Sequence, residues 1–132
     1  MVRLADTPDG RRIEVHERVP VPRERIWHLL RDTEAWPEWG PSVRAVESPV
    51  RYVEPGTEGG VQTVAGIWLS FSVDVCESYR WTWTVAGLPA TGHRAERGRS
   101  GTESIAVIEV PLAAAGYVPV CRRGLRRLAR LA

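Results

Sequence analysis

The chain has 132 residues and carries 18 basic residues against 16 acidic ones, a formal charge of +2. That length fits one domain with enough interior for a core, and a hydrophobic fraction of 43% excludes a disordered chain. The near-balanced charge gives no nucleic-acid signature, and the absence of lysine and asparagine excludes a Schiff-base lysine and N-glycosylation.

Residues 1–11 are polar and end in Asp9-Gly10, a turn signal, so they are expected to form a flexible N-terminal arm. A single domain over 12–132 follows. Arg12–Arg18 alternates apolar and polar residues and predicts a half-buried strand with Ile13 and Val15 facing the core. Pro20 and Pro22 close it, and Pro22 suits the first turn of a helix. Over Pro22–Arg31 the residues Ile26, Trp27, Leu29 and Leu30 recur at helical spacing. A second short helical turn is expected at Asp32–Trp36, stopped by Pro37.

From Val43 onward the residues favour strands, predicted near 43–53, 60–66, 67–77, 80–86, 90–97 and 102–110. In the third of these Ile67, Leu69, Phe71, Val73 and Val75 share one face. Trp81, Trp83 and Val85 share a face of the next. Short links between them imply an antiparallel meander. Over Leu112–Ala132 a helical stripe of Tyr117, Cys121, Leu125, Leu128 and Ala132 alternates with five arginines, and Pro119 is expected to kink the helix or delay its regular start. The fold class is therefore α+β.

Cys76 and Cys121 lack paired spacing, so a reduced, cytoplasmic protein is expected. Charges recur from Arg3 to Arg31, and no signal peptide is readable. Val110–Cys121 is too short and proline-broken to span a bilayer, so no stable membrane insertion is expected. No HExxH, no CxxC and no close His/Cys pair occurs, so neither a metal nor a cofactor is expected. Gly98-Arg99-Ser100-Gly101 lacks one residue of the nucleophile-elbow pattern and reads as a hairpin tip.

Four segments carry a family resemblance: Val19–Val43 (VPVPRERIWHLLRDTEAWPEWGPSV), Glu54–Gly60 (EPGTEGG), His93–Thr102 (HRAERGRSGT) and the terminal CRRGLRRLARLA. Together they resemble the START-like, polyketide cyclase/dehydrase superfamily. The resemblance implies a helix-grip fold, with a curved seven-stranded antiparallel sheet wrapped around a long C-terminal helix and two short helices after the first strand. It also implies a deep hydrophobic cavity between sheet and helix. Aromatic cyclases of the superfamily often carry a tyrosine shortly after the Trp-Pro-Glu segment and an arginine on a central strand. Here the first neighbourhood reads Gly40-Pro41-Ser42-Val43, and Ile67–Val75 holds no arginine.

The candidate site sits in that cavity. Phe71, Trp81, Trp83 and Tyr117 are expected to wall it, with Trp39 at its mouth and Cys121 on the helix stripe above. Aromatic walls suit planar, apolar ligands. His93 alternates with Thr91 and Ala95 on the inward face and is the candidate acid/base, because an imidazole can exchange protons near neutral pH. The remaining inward polar groups are Thr91, Ser104, Tyr117 and Tyr52. Two functions follow: binding of a hydrophobic, aromatic or polyketide- or lipid-like small molecule, or cyclisation and dehydration of a poly-β-ketone in the same cavity. The last twelve residues carry +5 through Arg122, Arg123, Arg126, Arg127 and Arg130. That helix either is a solvated face or touches a membrane, a nucleic acid or an acidic acyl-carrier-type partner, the last being the partner expected here.

Overall fold

The Asp9-Gly10 turn joins two paired strands and does not end a loose arm. In the computed structural model, which describes residues 1–132, β1 (Val2–Thr7) runs antiparallel to β2 (Gly10–Val19), from Val2 opposite Val15 to Thr7 opposite Gly10. Gly10 takes a φ of +97°, which a side chain would oppose. Both faces of β1 are polar or exposed, so no alternation marks it. Backbone pairing and the Arg3–Glu14 and Arg11–Asp6 ion pairs hold it to β2.

Two helices then carry the chain across the sheet. Helix α1 (Arg23–Arg31) begins after Pro22 and buries Ile26, Leu29 and Leu30. Helix α2 (Trp36–Trp39) contains Pro37 instead of ending at it. In a first turn the missing N–H of proline has no helical partner to lose, so Pro37 starts this helix.

The strands β3 (Val43–Glu47), β4 (Glu58–Thr63), β5 (Trp68–Glu77), β6 (Arg80–Val85), β7 (Leu88–Arg97) and β8 (Ser104–Pro111) form the expected meander. All pairings are antiparallel, in the order β1-β2-β8-β7-β6-β5-β4-β3. The sheet therefore has eight strands, one more than expected, and the extra one is β1. After β8 a 3₁₀ segment (Leu112–Tyr117) delays α3 (Val118–Leu131), whose first turn holds Pro119.

One sheet face packs on the helices. Ile13, Val15, Ala106, Ile108 and Val110 meet Leu29, Leu30, Leu125 and Leu128 in a single core. On β5, Phe71 and Val73 are buried, whereas Ile67 is 59% exposed near the hairpin end. A register shift between Val73 and Val75 breaks the alternation there.

The other face carries an ionic ladder. Glu109, its side chain fully buried, accepts from Arg80 Nη2 at 2.7 Å, Arg80 Nε at 2.9 Å and Arg94 Nη1 at 2.9 Å. Arg94 also binds Glu14, which accepts from Arg3 Nε at 3.0 Å. A Cβ on Gly92 would stand 2.7 Å from Glu109 Oε1. Glycine there makes room for the carboxylate.

Candidate functional site: an aromatic cavity beneath the C-terminal helix

The site is built at the C-terminal end of α1. The last carbonyls of a helix lack intrahelical donors. Here indoles supply them: Trp36 Nε1 donates to Leu30 O at 2.9 Å, Trp81 Nε1 to the same oxygen at 3.2 Å, and Trp39 Nε1 to Leu29 O at 3.2 Å. Three tryptophans from α2 and β6 are thus fixed around one helix end.

Their rings form a layered cluster. Trp36 stacks on Trp81, with centroids 5.3 Å apart and planes 10° apart, and Trp81 stacks on His93 at 3.9 Å. Trp83 meets Trp36 and Trp81 edge-on at 5.4 and 5.3 Å. Such offset and edge contacts add to simple burial.

A cavity of about 50 Å³ remains between this cluster and α3. Trp81, Trp83, Thr91, His93 and Ile108 line it from the sheet, Trp36 and Trp39 from α2, and Cys121 and Gly124 from α3. Gly124 lets the helix approach, since a Cβ there would lie 3.2 Å from Trp39 O. At the rim stand Pro41, Ser42 and Val43 opposite Tyr117 and Val120. Ser42 Oγ and the Tyr117 hydroxyl hydrogen-bond across it.

Trp39, Trp81, Trp83, Tyr117 and Cys121 therefore lie on the cavity as the sequence predicts. Phe71 does not: it packs edge-on behind the wall, against Trp36 and Trp83 at 5.6 Å. Trp39 is buried in the interior and not at the mouth. Tyr52 is exposed, near His28 and Arg51. Ser104 is fully buried with its Oγ unpartnered. Trp36 is the centre of the cluster, and sequence spacing missed it. The available signal was the Trp36-Pro37-Glu38-Trp39 run, where a proline in the first turn sets two indoles on one short helix.

The polar groups are mutually committed. The Trp81 carbonyl can only accept, so His93 Nδ1 donates to it at 3.3 Å. His93 Nε2 then accepts from Thr91 Oγ1 at 2.9 Å, and Thr91 accepts from Trp83 Nε1 at 3.1 Å. Burial outweighs the favourable Trp81 carbonyl and Glu109 charge and lowers the His93 pKa to about 3. The ring is neutral at neutral pH, with both nitrogens occupied. Burial also raises the Cys121 thiol to about 12 and raises the Tyr117 hydroxyl. Cys121 is a protonated, free thiol.

A wider groove of about 600 Å³ lies elsewhere, between Glu47–Pro49, Gly59, Gly60 and Trp68–Ser70. It is an open trough along the far sheet edge with only two hydrophobic residues on its walls. It holds no converging set of buried polar groups, and the enclosed aromatic cavity is the better candidate.

No protein-family model matches the chain, and no curated protein matches it. Solved structures do. The chain is similar to the protein XoxI of Bacillus cereus, with a TM-score of 0.71 and 14% identity over 89% of this chain and 92% of that one. A Thermobifida fusca protein gives 0.63 and 21% over 88% and 89%. A Chromobacterium violaceum protein gives 0.61 and 20% over 89% and 94%. These likenesses show the fold. No helix here is long and apolar enough to cross a membrane.

Proposed function

We propose that this chain is a START-like, helix-grip protein of the cytoplasm that binds a small, flat, apolar molecule in the aromatic cavity beneath α3. One observation carries the reading: the cavity is walled by indoles whose N–H groups, with His93 and Thr91, are already hydrogen-bonded to protein. Such a wall offers apolar surface and π-faces, and the protonated Cys121 thiol is its one polar group without a hydrogen bond. It favours holding a ligand over the alternative, cyclisation and dehydration of a poly-β-ketone. That chemistry needs an acid/base within reach of the substrate, and the one inward imidazole has neither a spare nitrogen nor a pKa near neutrality.

The resting cavity of about 50 Å³ is far below the roughly 300 Å³ at which ligand pockets begin. A ring-sized ligand therefore enters by parting Ser42 from Tyr117 and moving the 3₁₀ segment. Native mass spectrometry of freshly purified protein tests the reading. A co-purified apolar molecule, or one-to-one uptake of added naphthalene that Val120→Trp blocks, is the expected result. A chain that arrives empty and takes up no naphthalene contradicts it.

A further inference from the structure

From Val110 to Ala132 the chain contains no acidic residue. None of Arg122, Arg123, Arg126, Arg127 and Arg130 pairs with a carboxylate, whereas Arg3, Arg80 and Arg94 on the sheet all do. Helix α3 buries Cys121, Gly124, Leu125 and Leu128. Helical spacing turns Pro119, Arg123, Arg126 and Arg130 directly outward, and all four are exposed.

The seven residues that lead into this helix, Pro111–Tyr117, carry no charge, and neither does its first turn, Val118–Val120. Leu112 is 51% exposed and Tyr117 38%, with Ala113, Ala115 and Gly116 exposed between them. Strand β7 begins at the end of the sheet where β8 finishes, since Gly92 pairs with Glu109 in the antiparallel register. Leu88, 68% exposed, therefore projects from the same end of the sheet. An exposed apolar segment thus leads directly into the helix that carries the unpaired arginines.

We propose that the tip around Leu112 and Leu88 and the outer face of α3 form a docking surface for an anionic lipid membrane. Arginines meet lipid phosphates at the surface while apolar side chains enter the headgroup boundary, the two contributions that hold peripheral proteins on bilayers. A nucleic acid would match the charge alone, because the outward α3 stripe has no aromatic for bases to stack on. An acidic carrier protein would leave Leu112 and Leu88 without a role. Docking sets Tyr117, at the rim of the cavity, beside the lipid. The surface is independent of what the cavity holds.

Co-sedimentation of the full chain with phosphatidylcholine vesicles, with and without phosphatidylglycerol, tests this without any cavity ligand. Binding is expected on the anionic vesicles alone and is lost as salt rises. Each arginine removed from Arg123, Arg126 and Arg130 should weaken partitioning about fivefold, which is ~1 kcal/mol per cation at an anionic surface. Leu112→Ser with Leu88→Ser should weaken it further. Arg97→Glu with Arg99→Glu, on the β7–β8 hairpin, should weaken it far less. Equal binding to both vesicle types overturns the proposal. So does equal loss from the hairpin control, or binding to an acidic carrier protein or duplex DNA with none to anionic vesicles.

Discussion

At neutral pH the His93 ring holds one proton, on Nδ1, because the Trp81 carbonyl can only accept and the Thr91 hydroxyl fills Nε2. Burial keeps that state down to about pH 3. The unfolded chain takes up a proton near the ordinary value of 6.5. Between these values the unfolded state binds the extra proton, so stability is complete above about pH 6.5 and falls as pH drops, by at most ~1.4 kcal/mol per pH unit. His16, lowered by burial and the nearby N-terminal charge, adds to the same window. His93→Ala should cost about 1–3 kcal/mol at pH 7, the price of a buried partner left unpaired. It should also flatten most of the decline between pH 6.5 and 5, as read by urea denaturation at both values. A decline unchanged in the variant contradicts the assignment. Ser104 is the opposite case. Its buried hydroxyl has no partner, so Ser104→Ala should raise stability by about 1 kcal/mol, measured as an increase in Tm. Alternation with Thr91 and Ala95 marked His93 as inward-facing. It did not reveal the bonds that silence the ring, because those depend on Trp81 and Thr91 meeting it across β6 and β7.

Elements with one apolar face were legible. The stripe Cys121, Leu125 and Leu128 marked α3, which starts regularly at Val118 after the 3₁₀ segment with Pro119 in its first turn. Strand β1 was not legible, because Arg3, Ala5 and Thr7 alternate with Val2, Leu4 and Asp6 on a pair of largely exposed faces. Its pairing depends on β2 being present. Phe71 was misplaced for a related reason: alternation gives a side, and only the packing of Trp36 decides what stands in front. The ionic ladder was equally hidden, since Glu14 and Glu109 lie far apart in sequence and face each other only in the β2–β8 register. Burial raises the Glu109 pKa, but Arg80 and Arg94 outweigh it and hold the carboxylate below its usual range, as Arg94 and Arg3 do for Glu14. Both groups therefore contribute stability above about pH 4.5 that is lost as pH falls further. Glu109→Gln leaves two arginines under-compensated in a buried setting and should cost ~3 kcal/mol. Thermal unfolding at pH 7 reads that loss, and a shift near zero would show that the ladder is solvated.

The whole molecule closes an eight-stranded sheet against three helices and then fills most of the enclosed space with indoles. The family resemblance implied a deep cavity, and the tryptophan count alone did not show that the rings would occupy it. Six tryptophans can wall a space or fill it, and the choice turns on Trp36 stacking on Trp81 beneath the Leu30 carbonyl. What remains is a cavity of about 50 Å³, with the Ser42–Tyr117 hydrogen bond across its rim. The central claim, that a flat apolar molecule binds against Trp81 and Trp83, is tested most directly by titrating intrinsic fluorescence with naphthalene. Saturable quenching at micromolar concentrations is predicted. It should be abolished or reduced at least tenfold in affinity by Trp83→Phe combined with Val120→Trp, and left intact by Trp68→Phe on the exposed far sheet edge. Quenching that persists in the cavity variant and disappears with Trp68→Phe would contradict the account and move the site to the open groove.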